Sequence, residues 1–155
     1  DLVVTAPGRD DGAEDDVGAV YVLAGRTAPL AQAAVLLGPS EGARAGESLA
    51  VGDFTGDGVD DLLVGAPSFI DRGVAWGAVY LLAGPVSPSA QIDISAEAVR
   101  VWWGNDEGND LGAAVWAVGD LDGDLAIDFA FGAPAGDPGG LTGAGSAWML
   151  LTSEM

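Results

Sequence analysis

Two stretches of this chain place carboxylates at a spacing suited to a hard cation. Asp53-Phe54-Thr55-Gly56-Asp57-Gly58-Val59-Asp60-Asp61 and Asp120-Leu121-Asp122-Gly123-Asp124-Leu125-Ala126-Ile127-Asp128 both carry oxygen-bearing side chains at positions 1, 3, 5 and 9. A Ca2+ ion takes about six to eight oxygens, and a tight loop supplies them from alternate residues plus a backbone carbonyl. One candidate set is therefore Asp53, Thr55, Asp57 and Asp61 with the carbonyl of Val59. The second is Asp120, Asp122, Asp124 and Asp128 with the carbonyl of Ala126. Carboxylates crowded in this way repel one another, and a divalent ion relieves the repulsion. The competing reading is that Asp and Gly stand here because they make good turns, through Asx hydrogen bonds and tolerated positive φ.

Most other chemistry is excluded by composition. The 155 residues include neither cysteine nor histidine, and all five basic residues are arginine. Disulfides, thiolate nucleophiles, imidazole metal ligands, Ser-His-Asp triads, Schiff bases and the P-loop lysine are all ruled out. With 24 acidic residues the formal charge is −19, which disfavours nucleic acid and anionic membranes as partners. No apolar run approaches the roughly 18 to 20 residues that span a bilayer, so no membrane insertion is expected. Nor are the loops EF-hands. Position 12 is Val64 or Phe131 where that motif needs a bidentate Glu, and the flanking runs read as strands.

Those flanking runs recur. Asp1-Leu2-Val3-Val4-Thr5-Ala6-Pro7 returns as Asp61-Leu62-Leu63-Val64-Gly65-Ala66-Pro67 and as Asp128-Phe129-Ala130-Phe131-Gly132-Ala133-Pro134. Gly18-Ala19-Val20-Tyr21-Val22-Leu23-Ala24-Gly25 returns at Gly77 to Gly84, and more loosely from Gly145 to Leu151. Ser48-Leu49-Ala50-Val51-Gly52-Asp53 matches Val115-Trp116-Ala117-Val118-Gly119-Asp120. The runs are short, rich in Val, Leu and aromatics, and bounded by Gly, Pro and Asp, which is the pattern of buried strands. One more strand is expected between Gly25 and Ser48, at Gln32 to Leu37, and one between Gly84 and Val115, at Ala98 to Trp103. Four short antiparallel strands in a period of about 60 residues predict a β-propeller blade.

The expected fold is thus all-β, with about two and a half four-stranded antiparallel blades of an incomplete propeller. Residues 1–46 hold strands two to four of one blade, 47–111 a complete blade, and 112–155 the first three strands of another. The chain starts and stops in mid-blade. It is therefore expected to be a piece of a longer propeller, or a subunit that assembles through open blade edges.

The run DFTGDGVDDLLVGAP followed by GAVYLLAG resembles the FG-GAP repeat of integrin alpha-subunit β-propellers and related bacterial proteins. In that family the D-x-[DN]-x-D-G-x-x-D loop joins the first two strands of a blade and binds calcium. The resemblance therefore implies Ca2+ at Asp53, Thr55, Asp57, Val59 and Asp61, and at Asp120, Asp122, Asp124, Ala126 and Asp128. Two positions depart from the pattern: Thr55 replaces a carboxylate or amide, and Leu125 stands where glycine normally permits the sharp turn. Asp1 matches the ninth position of a third loop.

Further readings concern the opposite face, where integrin-like propellers bind their ligands. The connection bearing Asp10, Asp11, Glu14, Asp15 and Asp16 reads as a solvated loop. Trp102 and Trp103, ahead of Asn105-Asp106-Glu107-Gly108-Asn109-Asp110, could stack on a sugar, with sheet packing the competing reading. No catalytic constellation stands out, so the chain is read as a non-enzyme. The function expected is an extracellular, calcium-stabilised module for adhesion or for binding a protein or glycan. The alternatives are a structural repeat that forms filaments and an accessory propeller of a secreted carbohydrate-active enzyme.

Overall fold

The computed structural model describes residues 1–25, 31–86, 91–105 and 108–154. In chain order the strands are β1 (Leu2–Ala6), β2 (Ala19–Ala24), β3 (Ala31–Leu37), β4 (Ser48–Gly52), β5 (Asp61–Ala66), the short pair β6 (Ile70–Asp71) and β7 (Val74–Ala75), and β8 (Ala78–Leu82). There follow β9 (Gln91–Asp93), the four-residue helix α1 (Ile94–Glu97), β10 (Arg100–Trp103), β11 (Ala114–Gly119), β12 (Asp128–Ala133) and β13 (Ser146–Leu150). They form three main sheets, ordered β1-β2-β3-β9, β10-β8-β5-β4 and β11-β12-β13. The fold is all-β, as the repeats predict. The middle sheet is the expected four-stranded antiparallel blade, and the third contains the expected first three strands.

Alternation along the strands builds two cores. On β5, Leu62, Val64 and Ala66 join one cluster with Val20, Leu36, Tyr80 and Leu82, while Leu63 joins a second with Val79, Leu81, Phe129 and Phe131. Successive side chains of a strand point to opposite faces. The middle sheet therefore fills both inter-sheet spaces, and every residue of β5 and β8 is buried. This explains why these runs are continuously apolar rather than alternating. Between the sheets the backbones come close: the Ser48 hydroxyl donates to the Gly112 carbonyl at 2.7 Å. A methyl group at Gly65 would collide with that same carbonyl.

Two details depart from the sequence reading. Among the described residues between Gly84 and Val115 there are two strands, not one. The additional strand, β9, runs parallel to β3 and so lies in the first sheet, with Ile92 opposite Leu36. Three residues of period two are too few to register as a strand by pattern, and it is tertiary pairing that defines this one. In the third repeat, β11 carries a register shift between Ala117 and Gly119, with Val115 opposite Phe131 and Gly119 opposite Asp128. In the second repeat Leu49 faces Val64, so Val115, not Trp116, takes the place of Leu49. The extra residue is absorbed as a bulge, and Trp116 turns outward, 71% exposed.

Candidate metal sites

Each aspartate loop closes a hairpin between the first two strands of a sheet: 53–60 between β4 and β5, and 120–127 between β11 and β12. In the first, Asp53 Oδ1 accepts the N–H groups of Gly56 (2.7 Å) and Asp57 (3.0 Å), and Oδ2 that of Gly58 (2.8 Å). The Val59 N–H donates to Asp57 Oδ1 at 2.8 Å. In the second, Asp120 takes the N–H groups of Gly123 (2.6 Å) and Leu125 (3.0 Å), and Asp124 that of Ala126 (2.8 Å). The first-position aspartate thus winds each loop around its own carboxylate. Gly58 and its counterpart Leu125 both adopt positive φ, +84° and +76°. For leucine this is the left-handed region that a Cβ disfavours.

The ninth-position aspartates do something the sequence reading missed. Asp61 and Asp128 are fully buried. Asp61 Oδ2 accepts from Phe54 and Thr55 N–H, both at 2.9 Å, and its Oδ1 from Gly84 N–H at 2.8 Å. Asp128 repeats this with Leu121 N–H (2.8 Å) and Thr152 N–H (2.9 Å), and Asp1 Oδ1 accepts from Gly25 N–H at 2.9 Å. Gly25, Gly84 and Thr152 occupy one repeat position, just past the third strand of each repeat. The spacing of Asp61 to Gly84 and of Asp128 to Thr152 is over 20 residues in each case, and the donor is a backbone N–H that no residue type marks in the sequence.

The donor set fits a hard cation best in the loop 120–128. Carboxylate oxygens of Asp120, Asp122 and Asp124 lie within 4.8 Å of one another, all on exposed side chains. Asp128 is outside that group, and its oxygens accept from the Leu121 and Thr152 N–H groups. In the loop 53–61, Asp53, Asp57 and Asp61 make no such group, and the third position is the exposed Thr55. The carbonyl-bearing residues differ too, Val59 being 38% exposed and Ala126 only 7%. Ser153, just past β13, donates its hydroxyl to Asp122 Oδ2 at 2.5 Å. That hydrogen bond, aided by the Asp124 N–H, holds the Asp122 carboxyl below its usual value of 3.8.

The other expected features lie as follows. In the acidic connection, Asp11 accepts the N–H groups of Ala13 and Glu14, both at 2.8 Å, and Asp10 that of Asp16 at 2.9 Å. These are turn-forming roles in an exposed segment. Trp102 packs against Phe129 and Phe131, with ring centroids 5.4 and 5.5 Å away, which is sheet packing. Trp103 is 62% exposed. Asp106 and Glu107 of the adjoining loop lie outside the described residues. The connections after the second and fourth strands meet around a cavity of about 250 Å³ lined by Arg44, Glu47, Pro67, Ser68, Asp110 and Ala113. Arg44 pairs there with Glu47 at 3.0 Å.

Residues 45–82, from the end of the first repeat through β8, match the FG-GAP repeat family. The chain is 36% identical over 111 residues to the phosphatidylinositol-glycan-specific phospholipase D of Bos taurus, and 36% identical over 113 residues to that of Homo sapiens. The bovine match takes in 63% of this chain and 13% of the relative, the human match 64% and 14%. It is also 42% identical over 86 residues to integrin alpha-PS5 of Drosophila melanogaster, which is 54% of this chain and 8% of the integrin. This chain therefore spans a small part of each relative. Residues 45–82, which include β4, β5 and β8, thus carry an FG-GAP repeat, and an integrin alpha chain is among the proteins to which this chain is similar.

Proposed function

We propose that this chain is a calcium-braced, integrin-alpha-like propeller module of an extracellular protein, binding or adhering to a partner through the face opposite its aspartate loops. The observation that carries this reading is the convergence of Asp120, Asp122 and Asp124 in a hairpin otherwise built for a hard cation. The residues that would hold Ca2+ are these three with Asp128 and the Ala126 carbonyl, and Asp53, Thr55, Asp57, Asp61 and the Val59 carbonyl in the other loop. When bound, the ion supplies charge neutralisation and a cross-brace for the hairpin. The chain's own part is to wind each loop on its first aspartate, clip it to the third strand through its ninth, and hold the Asp122 carboxylate in place through the Ser153 hydroxyl.

The partner face is supported by the cavity around Arg44, Pro67 and Asp110, where connections from two sheets converge. Extracellular placement draws support from the integrin relative. Among the described residues, no helix is long and apolar enough to cross a membrane. A second reading has its own observation, since several relatives are phospholipases D: the chain would then be a non-catalytic propeller accompanying an enzyme.

Thermal melts of the chain in EDTA and in millimolar calcium, at fixed high ionic strength, test the calcium reading. A calcium-specific rise in midpoint, absent with magnesium and reduced in Asp124→Ala, is the expected result. Identical midpoints in EDTA and calcium would mean that the loops are ordinary turns.

A further inference from the structure

The two aspartate loops touch each other. The Ile127 N–H donates to the Asp53 carbonyl at 3.2 Å, and Ile127 lies between Ala126 and Asp128 in the second loop. One residue along, the Phe54 ring meets Phe129 edge-on with centroids 5.4 Å apart, and both are fully buried. Phe54 donates its N–H to Asp61, and Phe129 directly follows Asp128. The first and second positions of one loop thus abut the eighth position of the other and the residue just after its ninth, through one hydrogen bond and one aromatic contact.

We propose that the loops are an energetically coupled pair, in which a divalent cation at either one tightens cation binding at the other. This rests on the calcium reading above and adds a regulatory property to it. An ion held by the first loop fixes Asp53, whose carbonyl accepts the Ile127 N–H, and so restrains the second loop through that hydrogen bond. Part of the ordering that the second loop must undergo is then already done, which is positive cooperativity without any change of fold. Electrostatics opposes this only weakly. Each loop contains four carboxylates, so a loaded loop remains net negative and does not repel the second ion. Salt at about 0.15 M further screens charges beyond about 8 Å.

Coupling of this kind is reciprocal, which makes the prediction specific. Calcium is titrated into the full chain while the backbone amides of Gly58 and Gly123 report the two loops separately by NMR. Asp57→Ala disables the first loop and Asp124→Ala the second; both side chains are exposed, so the fold survives. Asp57→Ala is expected to weaken calcium binding reported by Gly123 about five-fold or more, and Asp124→Ala to weaken that reported by Gly58 by the same factor. A remaining loop that titrates at its wild-type midpoint in either variant overturns the coupling while leaving the calcium reading intact. Amides that ignore calcium in the wild-type chain overturn both.

Discussion

Asp1, Asp61 and Asp128 occupy one position in three repeats, and each accepts a hydrogen bond from just past the third strand. The presence of carboxylates at this spacing was legible in sequence; the clip was not, because its partner is a backbone N–H, which any residue offers. Ser153 was hidden for the same kind of reason, since nothing in the loop motif points to a hydroxyl more than 20 residues onward. Its bond to Asp122 has a measurable consequence. A carboxyl whose folded pKa is depressed contributes stability above its unfolded value, and loses that contribution as pH falls through the folded one. For Asp122 the loss therefore lies below pH 3.8. Ser153→Ala should raise the Asp122 pKa toward 3.8, observed by carboxyl-carbon NMR titration; an unmoved pKa would remove Ser153 from the site. Leu125 carries a second prediction. Its left-handed backbone costs roughly 1–2 kcal/mol, against about 0.5–1 kcal/mol that glycine loses in chain entropy. Leu125→Gly should therefore stabilise the chain by about 0.5–1 kcal/mol, a rise of about 2 °C in a calorimetric melt. A lower midpoint would show that the leucine makes contacts worth more than its strain, although its side chain is 91% exposed.

Repetition was the strongest signal at the level of strands. Asp-Leu-Leu-Val-Gly-Ala-Pro and its two relatives located β1, β5 and β12, and the Gly-Ala-Val-Tyr runs located β2 and β8. These runs are easy to read because the middle sheet is buried on both faces, so selection for apolar residues acts at every position. The bulge in β11 and the strand β9 were not legible, since both depend on what lies opposite. The segment after β8 leaves its own sheet, pairs through β9 with β3, and then buries Ile94 completely in the first core. Asp93 caps α1 by accepting the Ser95 N–H at 2.8 Å, and this aims Ile94 inward. Ile94→Ala should cost about 2–5 kcal/mol, as for other fully buried aliphatic truncations, measured by urea denaturation. A cost below about 1 kcal/mol would mean that the β9 pairing holds the segment without its anchor.

Across the whole molecule, equivalent positions have different fates. Leu62 and Val64 are 4% and 0% exposed, whereas Leu2 and Val4, their counterparts in the first repeat, are 47% and 44% exposed. The middle sheet has a neighbour on each face, while the outer faces of the flanking sheets meet none among the described residues. This is the one-dimensional logic of repeat architectures, in which each unit derives its stability from its neighbours. The β9 segment complicates that logic, because sequence repeats and structural sheets do not coincide. A strand encoded in the second repeat completes the sheet of the first. Shuffling these repeats as cassettes at sequence-defined junctions would therefore hand each recipient sheet a foreign edge strand, and seams that respect the fold must pass on the far side of Ile94.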